Sequence, residues 1–97
     1  MATYITLIRF TEQGVKEIQE TCRRAEAFKT KAGSAGVTVR DVYWTLGAID
    51  GVLIFDAPTD EAATGAMLSL ASQGKVQTQT CRAFASGEME QILKDRP

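Results

Sequence analysis

The sequence predicts an α+β domain built on a four-stranded antiparallel sheet with helices on one face. Three observations carry that prediction. Runs rich in β-branched and aromatic residues recur at 3–10, 36–46, 51–57 and 75–84, each bounded by turn-forming residues. Two longer segments between them repeat apolar residues at helical spacing. The two middle runs fold back on each other around Gly47-Ala48-Ile49-Asp50-Gly51, a glycine-flanked turn that makes them a hairpin. The chain has 97 residues and is predicted to form one domain, residues 1–97. A domain of that size buries roughly 60–70% of the surface its unfolded chain exposes, enough to fold with little margin.

Each element has a local reason. After the first strand, Thr11 is a helix N-cap and Glu12 sits at the positive end of the helix dipole. Val15, Ile18, Cys22, Ala25 and Phe28 then form an apolar stripe, opposite Lys16, Glu17, Glu20, Arg23 and Arg24. Gly33-Ser34-Ala35-Gly36 ends that helix, glycine supplying the left-handed residue a helix stop needs. Pro58 closes the third strand, and Thr59-Asp60-Glu61 starts a second helix reaching about Ser72. Its inner side, Ala62, Ala63, Ala66, Met67, Leu70 and Ala71, is small enough for close approach to a sheet. Gln73-Gly74 stops it, the fourth strand follows, and Ser86 caps a short terminal helix over 87–94.

The order β-α-β-β-α-β, with two right-handed crossovers, is the split arrangement called ferredoxin-like. Both long helices then cover one sheet face and leave the other bare. Pairing outward from the hairpin turn puts Val42, Trp44, Leu46, Leu53 and Phe55 under the helices. Tyr43, Thr45, Val52, Ile54 and Asp56 go to the bare side, joined by Tyr4, Thr6 and Ile8 and by Thr78, Thr80 and Arg82. A mixed face of this kind calls for a partner chain, a ligand or trapped water to cover it.

Composition excludes several classes of function. The chain has no histidine, which removes His-based acid–base and nucleophile systems, the usual haem ligand and nearly all catalytic zinc sites. No metal or cofactor is expected. Cys22 and Cys81 have no metal-ligand spacing and are expected as small buried hydrophobes. With 11 basic and 12 acidic residues there is no basic stripe for nucleic acid. The longest apolar run is only Val52 to Phe55, so no membrane partner is expected either. The N-terminus lacks the features of a signal peptide, which makes the cytoplasm the expected location.

Several segments together resemble the GYD-domain family. They are Tyr4-Ile5-Thr6-Leu7, Phe10-Thr11-Glu12-Gln13-Gly14, Tyr43-Trp44-Thr45-Leu46-Gly47-Ala48-Ile49-Asp50, Asp56-Ala57-Pro58, and the run from Gly74 to Phe84. The resemblance spans nearly the whole chain. It implies a dimeric α/β barrel, in which two ferredoxin-like sheets face each other. One position departs from the motif that names the family: Ile49 stands where a tyrosine precedes the aspartate, while Gly47 and Asp50 match.

Five residues are candidates for ligand contact. Tyr43 and Thr45 offer hydroxyls on the bare face, where dimer packing is the competing role. Asp50 is first a turn residue, bonding side chain to backbone. Arg82 carries a planar fork suited to a carboxylate or phosphate, against an ion pair with Asp41 or Asp56. Thr80, its neighbour on the same side, is the weaker candidate, a β-favouring residue that also suits a plain strand position. Arg24 points either inward or to solvent. The expectation is a homo-oligomeric small-molecule-binding module, its site between facing sheets. One alternative is a cofactor-independent oxygenase or isomerase using Tyr43, Asp50, Thr80 and Arg82. Another is a non-catalytic structural or regulatory subunit, docking by a sheet edge or the terminal helix.

Overall fold

A computed structural model describes residues 1–97. The elements are β1 (Ala2–Phe10), α1 (Glu12–Lys16), a 3₁₀ turn (Ile18–Glu20), α2 (Thr21–Ser34), β2 (Thr38–Trp44), β3 (Gly51–Ala57), α3 (Asp60–Ala71), β4 (Val76–Ala83) and α4 (Ser86–Asp95). The sheet order is β2-β3-β1-β4 and every pairing is antiparallel. This is the ferredoxin-like arrangement, with the helix-start signals in place. The Thr11 hydroxyl accepts from the Gly14 N–H, and that of Thr59 from the Ala62 N–H. Gly36 takes the positive φ that ends α2.

The first helix departs from expectation. The predicted continuous helix is interrupted at Glu17, whose backbone leaves the helical region at φ −110°, ψ 32°. Gly14 shows what holds α1 in place. A Cβ there would lie 2.0 Å from the Lys75 carbonyl oxygen. That carbonyl also accepts from the Thr11 N–H, and the Thr11 hydroxyl donates to Gly74 O. The β1–α1 corner is thus stitched to the α3–β4 turn, and α2 must restart on a new axis. The interruption leaves Val15, Ile18 and Cys22 exposed instead of buried. Gly14→Ala is expected to cost about 1–3 kcal/mol, the range for overpacking a rigid site, seen as a lower urea midpoint. Gly33, an exposed glycine of α2 with open space around it, is the control.

The core lies between the sheet and the helices. It contains Tyr4, Phe28, Ala32, Val37, Val39, Leu53, Phe55, Ala57, Ala63 and Met67. Tyr4 stacks on Phe55 with ring centroids 5.1 Å apart. A bulge at Arg40 separates the pairs Val39↔Phe55 and Asp41↔Ile54. The extra residue keeps both Val39 and Val42 on the core side, although they are three apart.

Register corrects the expected facing of β1 and β4. Residues directly opposite across an antiparallel pair share a face. Tyr4 pairs with Phe55 and with Arg82, Thr6 with Leu53 and Thr80, and Ile8 with Thr78. Tyr4, Thr6, Ile8, Thr78, Thr80 and Arg82 therefore lie on the helix-covered face and not on the bare one. Ile5 pairs with Ile54 and Cys81, and Leu7 with Val52 and Gln79, so these residues form the bare face instead. Cys81 is exposed there and Cys22 is exposed on α2, both as free thiols, so neither is the buried hydrophobe expected. Leu46 is also misplaced by the simple alternation. It is fully exposed at the hairpin tip, because β2 ends at Trp44.

Candidate functional site

The five sequence candidates fall in three separate places. Tyr43 remains on the bare face opposite Val52 and is 57% exposed. Thr45 lies just past the end of β2, and its hydroxyl donates to Ile49 O at 2.7 Å within the turn. Asp50 ties the hairpin to β1: its carboxylate accepts from the Phe10 N–H at 2.8 Å, and its own N–H donates to Ile8 O at 2.8 Å. The expected side-chain-to-backbone bond of Asp50 is thus present, but it reaches across to another strand.

Thr80 and Arg82 line an open groove between α3 and β4, with Tyr4, Asp60 and Met67. Thr6 is fully buried yet polar; its hydroxyl lies 2.9 Å from that of Thr80 and donates to Met67 Sδ at 3.3 Å. Arg82 lies over the Phe84 ring, 4.5 Å from its centroid, and pairs with Glu88 of α4 at 3.4 Å. Its ion-pair partner is therefore neither Asp41 nor Asp56. Asp56 pairs instead with Arg40, at 3.7 Å, and accepts from Thr3.

Ionisation follows these contacts. The hydrogen bond from the Tyr4 hydroxyl to the Asp60 carboxylate, with burial and the Asp60 charge, pushes the phenol above the usual tyrosine value. The Lys75 ammonium and Gln13 amide on Glu17, and the Ala85 N–H and Arg82 on Glu88, hold those carboxyls below the usual glutamate value. The signs set a stability window. Folded Glu17 and Glu88 bind protons more weakly than the unfolded chain does, so their contribution is full above about pH 4.3 and is lost as pH falls below it. Folded Tyr4 binds its proton more tightly, so its contribution is full below about pH 10 and is lost as pH rises further. Thermal midpoints measured against pH are expected to fall at both ends, with Tyr4→Phe flattening the alkaline limb and Glu17→Gln the acid one.

A second site brings Tyr43 and Asp50 together with Arg24. A cavity of about 60 Å³ lies between α2, the end of α3 and the helix-covered face of β1–β3. Phe10, Phe28, Val42, Trp44 and Leu53 are among the apolar residues of its wall, and two of the five candidates, Tyr43 and Asp50, line it as well. Arg24 enters it from the first turn of α2. Its Nη1 donates to Glu17 O at 3.0 Å, the carbonyl freed where the helix breaks, while its buried Nη2 has no hydrogen-bond partner. Trp44 is 46% exposed at the rim, its indole N–H donating to the Thr21 hydroxyl at 3.0 Å. Arg24 had a sequence signal: with Thr21, Ala25 and Phe28 it falls at i, i+3, i+4 and i+7, so the arginine shares the inward stripe.

No group of three or more His, Cys, Asp or Glu side chains is placed to hold a metal ion. No helix is long and apolar enough to cross a membrane.

A ferredoxin-like sheet with one bare face and this hairpin defines a class of small α+β domains. The GYD-domain family model matches residues 4–93, and the chain belongs to that family. It is also similar to a protein of Thermus thermophilus named "Glutamine synthetase and cystathionine beta-lyase binding protein". The two are 32% identical over 95 residues, covering 97% of this chain and 100% of the relative.

Proposed function

We propose that this chain is a homo-oligomeric binding protein that works by docking on metabolic enzymes rather than by turnover. The observation that carries the proposal is the bare sheet face. Ile5, Leu7, Val52 and Ile54 are contiguous at its centre, and Tyr43, Asp41, Arg9 and Gln79 surround them. An apolar centre with a polar rim is the anatomy of a protein interface. Joining two copies through these faces gives the dimeric α/β barrel that the family resemblance implies. The enzyme partners are inferred from the Thermus relative, whose whole length aligns with this chain.

Two further features support docking over catalysis. The polar groups that a reaction would use are dispersed, and most are committed to structural bonds: Thr45 to Ile49, Asp50 to Phe10, Arg82 to Glu88. In addition, α4 is exposed along its whole length, with Met89, Ile92 and Leu93 on one stripe. A ten-residue helix has little stability alone in water, so a partner surface would complete it. Sedimentation is expected to show a dimer at micromolar concentration. The purified chain is expected to bind glutamine synthetase or cystathionine β-lyase from its own source. A stable monomer would overturn the oligomer, and binding to neither enzyme would overturn the partner assignment.

A further inference from the structure

We propose that the cavity under α2 is a binding site for a small monocarboxylate with a short apolar tail, and that Arg24 is the residue that recognises its head. This goes beyond the docking reading and does not rest on it, because the cavity lies within one chain.

The argument starts from charge. Four charged residues are found at or beside the cavity: Arg24, Asp50 and Lys75 in its wall, and Glu17 behind them. Lys75 is committed to Glu17 at 2.5 Å. Asp50 is committed to the Phe10 N–H. Arg24 is fixed by one nitrogen on Glu17 O, and its Nη2 is buried without an acceptor. A buried donor of a charged group left unpaired is costly, and an acceptor supplied by a ligand would remove that cost. Among acceptors, a carboxylate or a phosphate matches the planar guanidinium, and the charge of the wall decides between them.

The remaining wall sets the rest of the ligand. Thr21, Tyr43 and Gln73 add polar atoms to the wall. Phe10, Phe28, Val42 and Leu53, however, carry no side-chain donor, and the Trp44 indole N–H is already held by Thr21, so the part of the ligand against them is apolar. About 60 Å³ limits it to a few carbon atoms unless it emerges past Trp44. The Asp50 carboxylate in the same wall opposes a second negative charge, which disfavours phosphate. Trp44 is the only tryptophan in the chain, so its fluorescence reports directly on the rim.

The test is a titration of the purified protein with propionate and butyrate, against propanol, propionamide and inorganic phosphate, read by Trp44 fluorescence and calorimetry. The expected result is saturable binding of the carboxylates, with the uncharged analogues at least about tenfold weaker, as expected when a charge-assisted pair is lost. Arg24→Gln, shown folded by circular dichroism, is expected to weaken the carboxylates by a similar factor and leave the alcohol unchanged. The proposal is overturned if the alcohol or amide binds as well as the acid, if phosphate binds more tightly, if no carboxylate saturates, or if folded Arg24→Gln binds normally. Should Arg24→Gln not fold, the head-group series on the unaltered protein decides alone. An Ile54→Asp monomer is expected to retain carboxylate binding, which separates this site from the oligomer.

Discussion

Phe55→Ala is expected to destabilise the fold by about 3–5 kcal/mol, the range for truncating a buried phenylalanine. A domain of this size has a total stability of about 5–15 kcal/mol, so the variant would be partly unfolded at physiological temperature. The magnitude follows from position. Phe55 is 0% exposed on β3, which is paired on both sides, and it stands opposite Tyr4 on one strand and Val39 on the other. Its ring stacks on that of Tyr4 at an interplanar angle of 16°. Removing it also frees Tyr4, whose hydroxyl is held on Asp60 at the start of α3. The loss therefore spreads from the sheet into a helix entry. Phe55→Leu keeps most of the volume and is expected to cost under about 1.5 kcal/mol if the core repacks. Phe84→Ala, at a half-exposed site, is expected to cost less than Phe55→Ala. Urea midpoints at one protein concentration order these three, and an unchanged m-value would show that the transition remains cooperative.

Phe55 was legible in the sequence because the hairpin has one unambiguous apolar side. The same pattern failed on β1, for a physical reason. Tyr4, Thr6 and Ile8 alternate with Ile5 and Leu7, so hydrophobicity does not distinguish the faces. Pairing with β3 decides the matter, and it places a threonine at 0% exposure. Thr6 is tolerated there because Thr80 and Met67 accept or share its hydroxyl. Those partners are 61 and 74 residues away along the chain and cannot be seen in a local pattern. Thr80 and Arg82 were misplaced by the same uncertainty, since their facing follows that of Tyr4 and Thr6.

The helix starts at Thr11 and Thr59 were legible because capping is local chemistry. The interruption at Glu17 was not, because its cause is the contact between Gly14 and Lys75 across two connections. That interruption in turn aims Arg24 at the cavity through Glu17 O. Sequence periodicity leaves Arg24 open between the inner side and solvent, and only the folded chain shows that it turns inward, which acceptor it reaches and which donor it leaves over.

Ile54→Asp is expected to leave the monomer folded and to raise the dissociation constant of the proposed dimer at least about 100-fold, equivalent to about 2.7 kcal/mol. The two effects differ because Ile54 lies on the bare face. In the single chain its side chain is only half-buried, between Ile5 on β1 and Asp41 on β2. An aspartate there stays solvated, and its cost is limited to strand preference, about 1 kcal/mol or less. In a dimer closed by two-fold symmetry the same patch is used by both copies, so one substitution puts two carboxylates into one interface. Each would lose water without gaining a partner, and the adjacent Asp41 adds repulsion. Concentration-dependent sedimentation reads the change directly. Ile92→Asp on α4 is the matched control: it alters an exposed apolar residue of another surface and is expected to leave the dimer intact. If Ile54→Asp remains dimeric while Ile92→Asp dissociates, the copies meet through the terminal helix and the bare sheet is free for the enzyme. If Ile54→Asp is a folded monomer that still binds the enzyme, docking does not need the barrel, and the interface with the enzyme must then be sought along the α4 stripe of Met89, Ile92 and Leu93.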